Sequence, residues 1–325
     1  MIFFVKKILK LLKSRFHKYV VRPLNQIHRY DFPSENNGWV KNGGEAVWGN
    51  AELGTMFDPY VFGSEGKFNM VVSARKTKNL ILLESFDGVV WLNPKEILNG
   101  RPGMWDENVS RGCLLFHKEQ YYLWYSGQHN GVSCIGLALS DDCKAFYRVS
   151  TSPILKSDLK FENVSVMNPC VLWDEIEKVF KMWYSAGDTY EPDVIGYAES
   201  KDGVVWEKRE KPVLEKMKKH KWECYKIGGC NVIKNTDGSY EMYYIGYQNV
   251  DVARICIAHS KDGICWTREE DNLLLSPSKN AWDSDAVYKP SVIKTKEKNY
   301  LWYNGRCTCD EYIGLAIQAK KSNGI

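Results

Sequence analysis

The chain is poor in the signatures that announce most enzyme chemistries. Its ten cysteines are scattered singly, and only Cys307 and Cys309 stand close together. No C-x-x-C pair supplies zinc-ligand spacing, so the cysteines read as reduced, buried small residues. There is no glycine-rich phosphate loop and no nucleophile elbow. No apolar run reaches the ~20 residues of a membrane-spanning helix, and lysines interrupt the N-terminal run that a signal-peptide core of roughly 7 to 15 residues would need. Acidic residues are missing from positions 1–30, which hold eight Lys or Arg, whereas the remainder carries 36 basic against 40 acidic residues. A slightly negative body argues against nucleic-acid binding. Neither a metal nor a cofactor is expected.

The one strong charge asymmetry is therefore N-terminal. Within residues 1–22, Val5, Ile8, Leu9, Leu12, Phe16, Tyr19 and Val20 recur at helical spacing, while Lys6, Lys7, Lys10, Lys13, His17 and Lys18 fall on the other face, until Pro23 ends the run. Such a basic amphipathic helix suits an anionic membrane surface, where each basic residue adds on the order of 1 kcal/mol. A peripheral position on the cytoplasmic face of the inner membrane is the expectation. Packing against the body of the protein or a partner is the bland alternative.

What the chain has in abundance is repetition. SFDGVVW (85–91), SKDGVVW (200–206) and SKDGICW (260–266) share one phrase, with a worn copy SDDCKAF at 140–146, and Ser140, Ser200 and Ser260 are 60 residues apart. A second, aromatic phrase occurs five times, as FNMVVSAR, YYLWYSGQ, FKMWYSAG, YEMYYIGY and YLWYNGR. A third precedes it: MFDPYVF, VSRGCLLF, VMNPCVLW, IGGCNVI and YKPSVI. Short runs of Val, Ile, Tyr and Trp bounded by Gly, Asp, Asn or Pro read as strands, and the Asp-Gly pairs as tight hairpin turns. Four strands per unit at this period predict an all-β, five-bladed β-propeller over residues 31–325, with residues 1–30 as helix and linker. The fifth unit stops at YIGLAIQAK, without an outer strand; NGWVKNGGEAVW at 37–48 resembles the missing phrase. The segment around 37–50 is expected to cover that edge, which would otherwise invite aggregation.

In a propeller the inner strands line an axial channel, and the hairpins between second and third strands return to its rim. Alignment of the inner strands makes Asp58, Arg111, Asn168, Gly229 and Lys289 equivalent, and strand alternation adds Glu107 and Asp285 to the rim. The second strands end at Arg75, Gln128, Gly187, Tyr247 and Arg306, with Asp188 just beyond in a loop that carries Glu191 and Asp193. Arg75, Arg306 and Lys289 are expected around Asp58. Tyr247, Tyr288 and Trp48 are candidates for stacking on sugar faces.

The Asp58-Pro59 pair, the repeated W-Y-S-G and I-G-L-A-x-S-x-D-G-x-x-W phrases and the count of five units resemble the five-bladed glycosidase propellers of glycoside hydrolase families 32, 43, 62, 68 and 130. The likeness covers roughly residues 37–318. It implies that Asp58 acts as base or nucleophile, or as proton donor as in the phosphorylase branch. Two departures stand out: Arg111-Gly112-Cys113 lies where invertase-like members carry Arg-Asp-Pro, and Met167-Asn168-Pro169 lies where many have a Glu. Glycoside hydrolysis normally takes two carboxyl groups about 5 to 9.5 Å apart. Asp188, Glu107 and Asp285 are the candidates for the second, although each also reads as a solvated rim or turn residue. Glu162, Glu223 and Asp283 each follow an aromatic at nearly the same repeat position, which points to a role in the blades. A lone Asp among cations suits an anionic donor or substrate, clamped bidentately by Arg75, Arg111 and Arg306; the bland reading pairs these arginines with local carboxylates. Asp283-Ser284-Asp285 looks like the metal motif of nucleotide-sugar transferases but lacks their α/β setting.

The resulting expectation is a carbohydrate-active enzyme with a phosphorylated or nucleotide-linked substrate, engaged in glycosyl transfer or remodelling of surface polysaccharide. A glycoside hydrolase and a non-catalytic glycan-binding propeller are the alternatives.

Overall fold

The computed structural model describes residues 21–49 and 54–320. The amphipathic pattern of residues 1–22 therefore falls, up to residue 20, outside the described residues. Among the described residues, Pro23 lies near the start of the short helical segment Arg22–Asn25, where its missing N–H and fixed φ do no harm.

The strands form five antiparallel sheets; in four of them the main strands run in chain order from inner to outer, two of these adding a short fifth strand, Leu214–Glu215 or Leu273–Leu275, and in the fifth the outer strand comes from the N-terminal segment. Blade 1 is Met56–Ser64, Lys67–Ala74, Asn79–Ser85 and Leu92–Asn99; blade 2 is Asn108–His117, Gln120–His129, Val132–Ser140 and Tyr147–Arg148. Blade 3 is Ser165–Asp174, Val179–Gly187, Pro192–Ser200 and Glu207–Lys208; blade 4 is Lys226–Lys234, Tyr240–Tyr247, Ala253–Ser260 and Trp266–Thr267. Blade 5 is Ala286–Lys294, Lys298–Cys307 and Asp310–Ala319, and its outer strand is Trp39–Lys41, with Trp39 opposite Gln318 and Lys41 opposite Ala316. Each inner strand packs against the inner strands of both neighbours, blade 5 against blade 1 included. This is a closed five-bladed β-propeller.

The core lies in the seams between blades. At the seam of blades 5 and 1, Phe68 and Met70 pack with Tyr300, Trp302, Ile313 and Leu315. Trp124, Trp183 and Trp302 are each fully buried and reach across a seam, donating their indole N–H to the carbonyl of Gly203, Gly263 or Gly88 in the Asp-Gly turn of the next blade, at 3.0, 2.7 and 2.8 Å. A side chain at Gly88 would meet the Trp302 ring at 2.8 Å, and φ there is +78°. The turn phrase is thus a docking device for the neighbouring blade as well as a hairpin.

A second device repeats within blades. A buried carboxylate accepts from a buried Tyr hydroxyl and pairs with a cation on or next to the outer strand: Asp106 with Tyr125 and Arg148, Glu162 with Tyr184 and Lys208, Glu223 with Tyr244 and Arg268. In blade 5 the set is Asp283, Tyr303 and Lys41, at 3.1 and 2.6 Å. The N-terminal strand supplies the cation that the local outer strand supplies elsewhere. Burial of these carboxylates is tolerable only because both partners are present.

All ten cysteines are unpaired thiols. Cys113, Cys170, Cys230 and Cys256 are buried, but Cys265 and Cys309 are exposed, contrary to the expectation for the set. Both exposed residues sit in or beside hairpin turns, where side chains face solvent.

Candidate active site

The site is built on an irregularity that all five inner strands share. Asp58, Arg111, Asn168, Gly229 and Lys289 each have positive φ, between 49° and 58°, and each lies within a break in strand register. The left-handed region costs a non-glycine residue roughly 1 to 2 kcal/mol. A bulge of this kind re-aims a side chain out of the strand.

The neighbouring blade holds most of these bulges in place. The amide of Asp58 donates to Asn304 Oδ1 at 2.9 Å, that of Arg111 to Ser73 Oγ at 2.8 Å, that of Asn168 to Ser126 Oγ at 3.0 Å, and that of Gly229 to Ser185 Oγ at 2.7 Å. The acceptors are the Ser or Asn of the aromatic second-strand phrase. In blade 4 that position is Ile245, and no such bond reaches Lys289.

Where the inner strands begin, the channel opens into a cavity of about 280 Å³. Blade 1 contributes Asp58 and Arg75, blade 2 Arg111 and Gln128, the blade 3 hairpin Tyr190 and Glu191, blade 4 Tyr247 and Asp251, and blade 5 Tyr288, Arg306 and Glu311. The volume is near the lower end of small-molecule sites, about 300 to 1,000 Å³.

Asp58 is 6% exposed, and its Oδ2 accepts from Arg111 Nε at 3.1 Å. Burial pushes its carboxyl above the usual carboxylate range; Arg111, Lys289 and Arg75 oppose the shift without cancelling it, and Glu311 adds to it. A carboxyl that keeps its proton to higher pH is suited to general-acid work. Glu311 is also nearly buried and accepts from Arg75 Nη2 at 2.8 Å and from the Tyr288 hydroxyl. Arg75 lies over the Phe57 ring at 4.5 Å. Burial raises the Tyr288 phenol, and Glu311 raises it further, keeping it a donor. Burial likewise raises the carboxyl of Glu191 and the phenol of Tyr247. Arg306 donates from Nη2 to the Asp251 carbonyl at 2.6 Å, while its Nε is buried and without a partner among the described residues.

Six of the expected site residues line the cavity together: Asp58, Arg75, Arg111, Gln128, Tyr247 and Arg306. Lys289 and Asn168 lie behind the wall, 3% and 4% exposed, with Lys289 close enough to act on Asp58. Asn168 donates to Ser185 Oγ at 3.1 Å. The structure does not bring Glu107, Asp188 or Asp285 to the wall. Glu107 is engaged by Lys78 at 2.8 Å and His129 at 2.9 Å; Asp188 by Lys226 at 2.6 Å and Asn163 at 3.0 Å. Asp285 pairs with Arg22 at 2.7 Å and receives the Thr308 amide at 2.7 Å. Each precedes or follows its strand at a turn, where strand alternation no longer dictates direction. The expected ring of Arg75, Arg306 and Lys289 about Asp58 is also redistributed, because Arg111 is the direct partner and Arg75 is taken by Glu311. Tyr247 and Tyr288 reach the cavity, whereas Trp48 packs in the seam of blades 5 and 1.

Glu311 was not anticipated. It stands directly opposite Arg306 in the hairpin register, so the residue across from each second-strand end is the signal that would have found it. Among the described residues no group of three His, Cys, Asp or Glu side chains is disposed to hold a metal ion.

No protein-family model matches the chain. An uncharacterized protein of Mycobacterium tuberculosis is 28% identical over 232 residues, covering 67% of this chain and 74% of that protein. The 1,2-beta-oligomannan phosphorylase of a Thermoanaerobacter species is 32% identical over 145 residues, covering 41% of this chain and 47% of the phosphorylase. Among solved structures, a glycoside hydrolase superimposes with a TM-score of 0.71 at 22% identity, covering 86% of this chain and 91% of its own. A thermostable family-43 glycoside hydrolase gives 0.65 at 20% identity, with coverages of 83% and 91%. A structure from the GH130 family of mannoside phosphorylases, described as containing hydrolases that target beta-1,2 mannosidic linkages in Candida mannan, gives 0.70 at 14% identity, with coverages of 90% and 96%. The chain has the fold of the five-bladed glycosidase propeller superfamily.

Proposed function

We propose that the protein is a carbohydrate-active enzyme that breaks or forms a glycosidic bond in the axial cavity. Asp58 is the general acid, and the guanidinium groups of Arg75, Arg111 and Arg306 hold an anionic group of the donor or acceptor. A carbohydrate-active role is supported by the fold and by the likeness to an oligomannan phosphorylase. The observation that carries the mechanism is the buried Asp58 carboxyl, raised by burial and set beside three arginines in one cavity. Protonation of the leaving oxygen by Asp58, with an oxyanion such as phosphate held by the guanidinium groups that line the cavity, needs only one protein carboxyl in a reacting role. The product is then a sugar phosphate or a transferred glycosyl group.

A hydrolytic reading is favoured by one observation, the presence of Glu311 in the same cavity, where it offers a second carboxyl group. The basic N-terminal sequence supports a peripheral position on the inner face of a membrane, and a role in assembling or remodelling surface polysaccharide.

The test is to incubate oligomannosides and a panel of other oligosaccharides with the enzyme, with and without inorganic phosphate. Phosphate-dependent release of a sugar 1-phosphate supports phosphorolysis, and free sugar without phosphate supports hydrolysis. No turnover, with glycan binding retained, would replace both with a binding propeller.

A further inference from the structure

The segment that joins the basic N-terminus to the propeller is fastened at the cavity mouth. Arg22 Nη2 bonds Asp285 Oδ2 at 2.7 Å and the Thr308 carbonyl at 2.8 Å, and Asn25 Nδ2 bonds Asp251 Oδ2 at 2.7 Å. Arg29 approaches Asp285 at 3.6 Å, and Arg254, fully buried, donates to the Arg29 carbonyl at 3.0 Å. Two of these acceptors tie the segment to the cavity: Asp251 lines it and its carbonyl holds Arg306, while Asp285, off the wall, donates its amide to the Arg306 carbonyl at 2.8 Å. Residues 22–29 are therefore a strap over the rim of blades 4 and 5. The first described residues, Val21 and Arg22, thus stand at this rim and not at the far face.

Two properties of the strap select its surroundings. Leu24 and Ile27 are 61% and 64% exposed on it, and Tyr190, on the cavity wall, is 65% exposed. Immediately upstream, positions 6–18 hold six Lys or Arg and no acid, interleaved with apolar residues. Exposed apolar side chains beside concentrated positive charge are complementary to an anionic bilayer, not to a second copy of a body that is close to neutral.

We infer that the strap turns the cavity mouth toward an anionic membrane surface, so that the glycan it receives is one carried on a membrane lipid. The inference deepens the proposed carbohydrate role by naming how the substrate is presented. A soluble glycan would gain nothing from a mouth held against the bilayer, whereas a lipid-carried glycan enters without leaving it.

The test is hydrogen exchange of the full chain with and without vesicles containing phosphatidylglycerol, with phosphatidylcholine vesicles as the comparison. The expected result is protection of residues 1–30 and of the mouth loops at 188–191 and 248–251, with the far-face turns at 86–90, 202–205 and 262–265 unchanged. The double substitution Lys10→Gln, Lys13→Gln is expected to weaken partitioning about 25-fold, at roughly fivefold per basic residue. Asp285→Asn, which removes the charge that pairs with Arg22 and Arg29, is expected to retain vesicle binding and lose the mouth protection. Absence of binding to anionic vesicles, protection confined to residues 1–20, or protection of the far-face turns would each overturn the inference. Because the readout is protection and not turnover, it stands apart from any failure of the enzymatic reading.

Discussion

The ring closure makes a quantitative demand on Lys41. Its ammonium group is 2.6 Å from Asp283 Oδ2 and 2.7 Å from both the Ser276 carbonyl and Ser278 Oγ, with the two charged side chains only 8% and 2% exposed. Burial lowers the lysine's affinity for its proton, and the Asp283 charge opposes that shift. Lys41→Met keeps the length of the side chain and removes the charge, leaving Asp283 buried with only the Tyr303 hydroxyl and the Ser278 amide as donors. Breaking a buried pair from one side costs about 3 to 5 kcal/mol. With a urea slope of roughly 3 kcal/mol/M for a chain this large, the unfolding midpoint should fall by about 1 M or more. Adding Asp283→Asn removes the stranded charge and should recover part of the loss. A Lys41→Met midpoint within about 0.3 M of the parent, as for a surface pair worth under ~1 kcal/mol, would refute the argument that the N-terminal strand completes blade 5 electrostatically.

Three other perturbations bear on separate parts of the structure. Ser73→Ala deprives the Arg111 amide of its buried acceptor at a strained position, so stability should fall by about 1 to 3 kcal/mol in chemical denaturation. Ligand affinity should weaken with it, as Arg111 loses its aim. Asp262 is raised by its partial burial, but hydrogen bonds from the Cys265 and Ile264 amides and from Ser260 outweigh this and bring it down to about 2. A depressed folded value contributes stability above the unfolded value near 3.9 and loses it as pH falls toward 2. Asp262→Asn should therefore cost about 1 kcal/mol at pH 7, after solvent screening, and nearly nothing at pH 2 by thermal unfolding. Glu311→Gln keeps the Tyr288 contact and removes the charge that holds Arg75. If phosphorolysis operates, the variant should retain turnover within about tenfold, whereas a hydrolase relying on Glu311 should lose on the order of 10² to 10⁴.

The repeated phrases made the blades readable because each phrase is a piece of geometry that recurs for a physical reason. Trp183 and Trp302 follow from the seam, and the Ser-x-Asp-Gly turns from the docking of those indoles on Gly263 and Gly88. The aligned inner-strand positions were readable for the same reason, since Asp58, Arg111, Asn168, Gly229 and Lys289 share one backbone bulge. Pairing between side chains was not. Period-2 alternation says which face Glu107 or Asp285 would take inside a strand, yet both stand just before one, where turns and ion pairs with Lys78 and Arg22 decide direction. Glu311 escaped notice because its significance comes from Arg75 and Tyr288, residues far from it in sequence that the ring brings together.

If Asp58 supplies the proton at a glycosidic bond, as proposed, the pH dependence of turnover will show it. With its carboxyl raised by burial, the acid form survives above the ordinary carboxylate range, so kcat/KM should hold on the acidic side and decline as pH rises through that raised value. Asp58→Asn should abolish the decline together with at least 10²-fold of the rate, while glycan binding persists. A substitution that leaves turnover and its pH profile unchanged would contradict the claim.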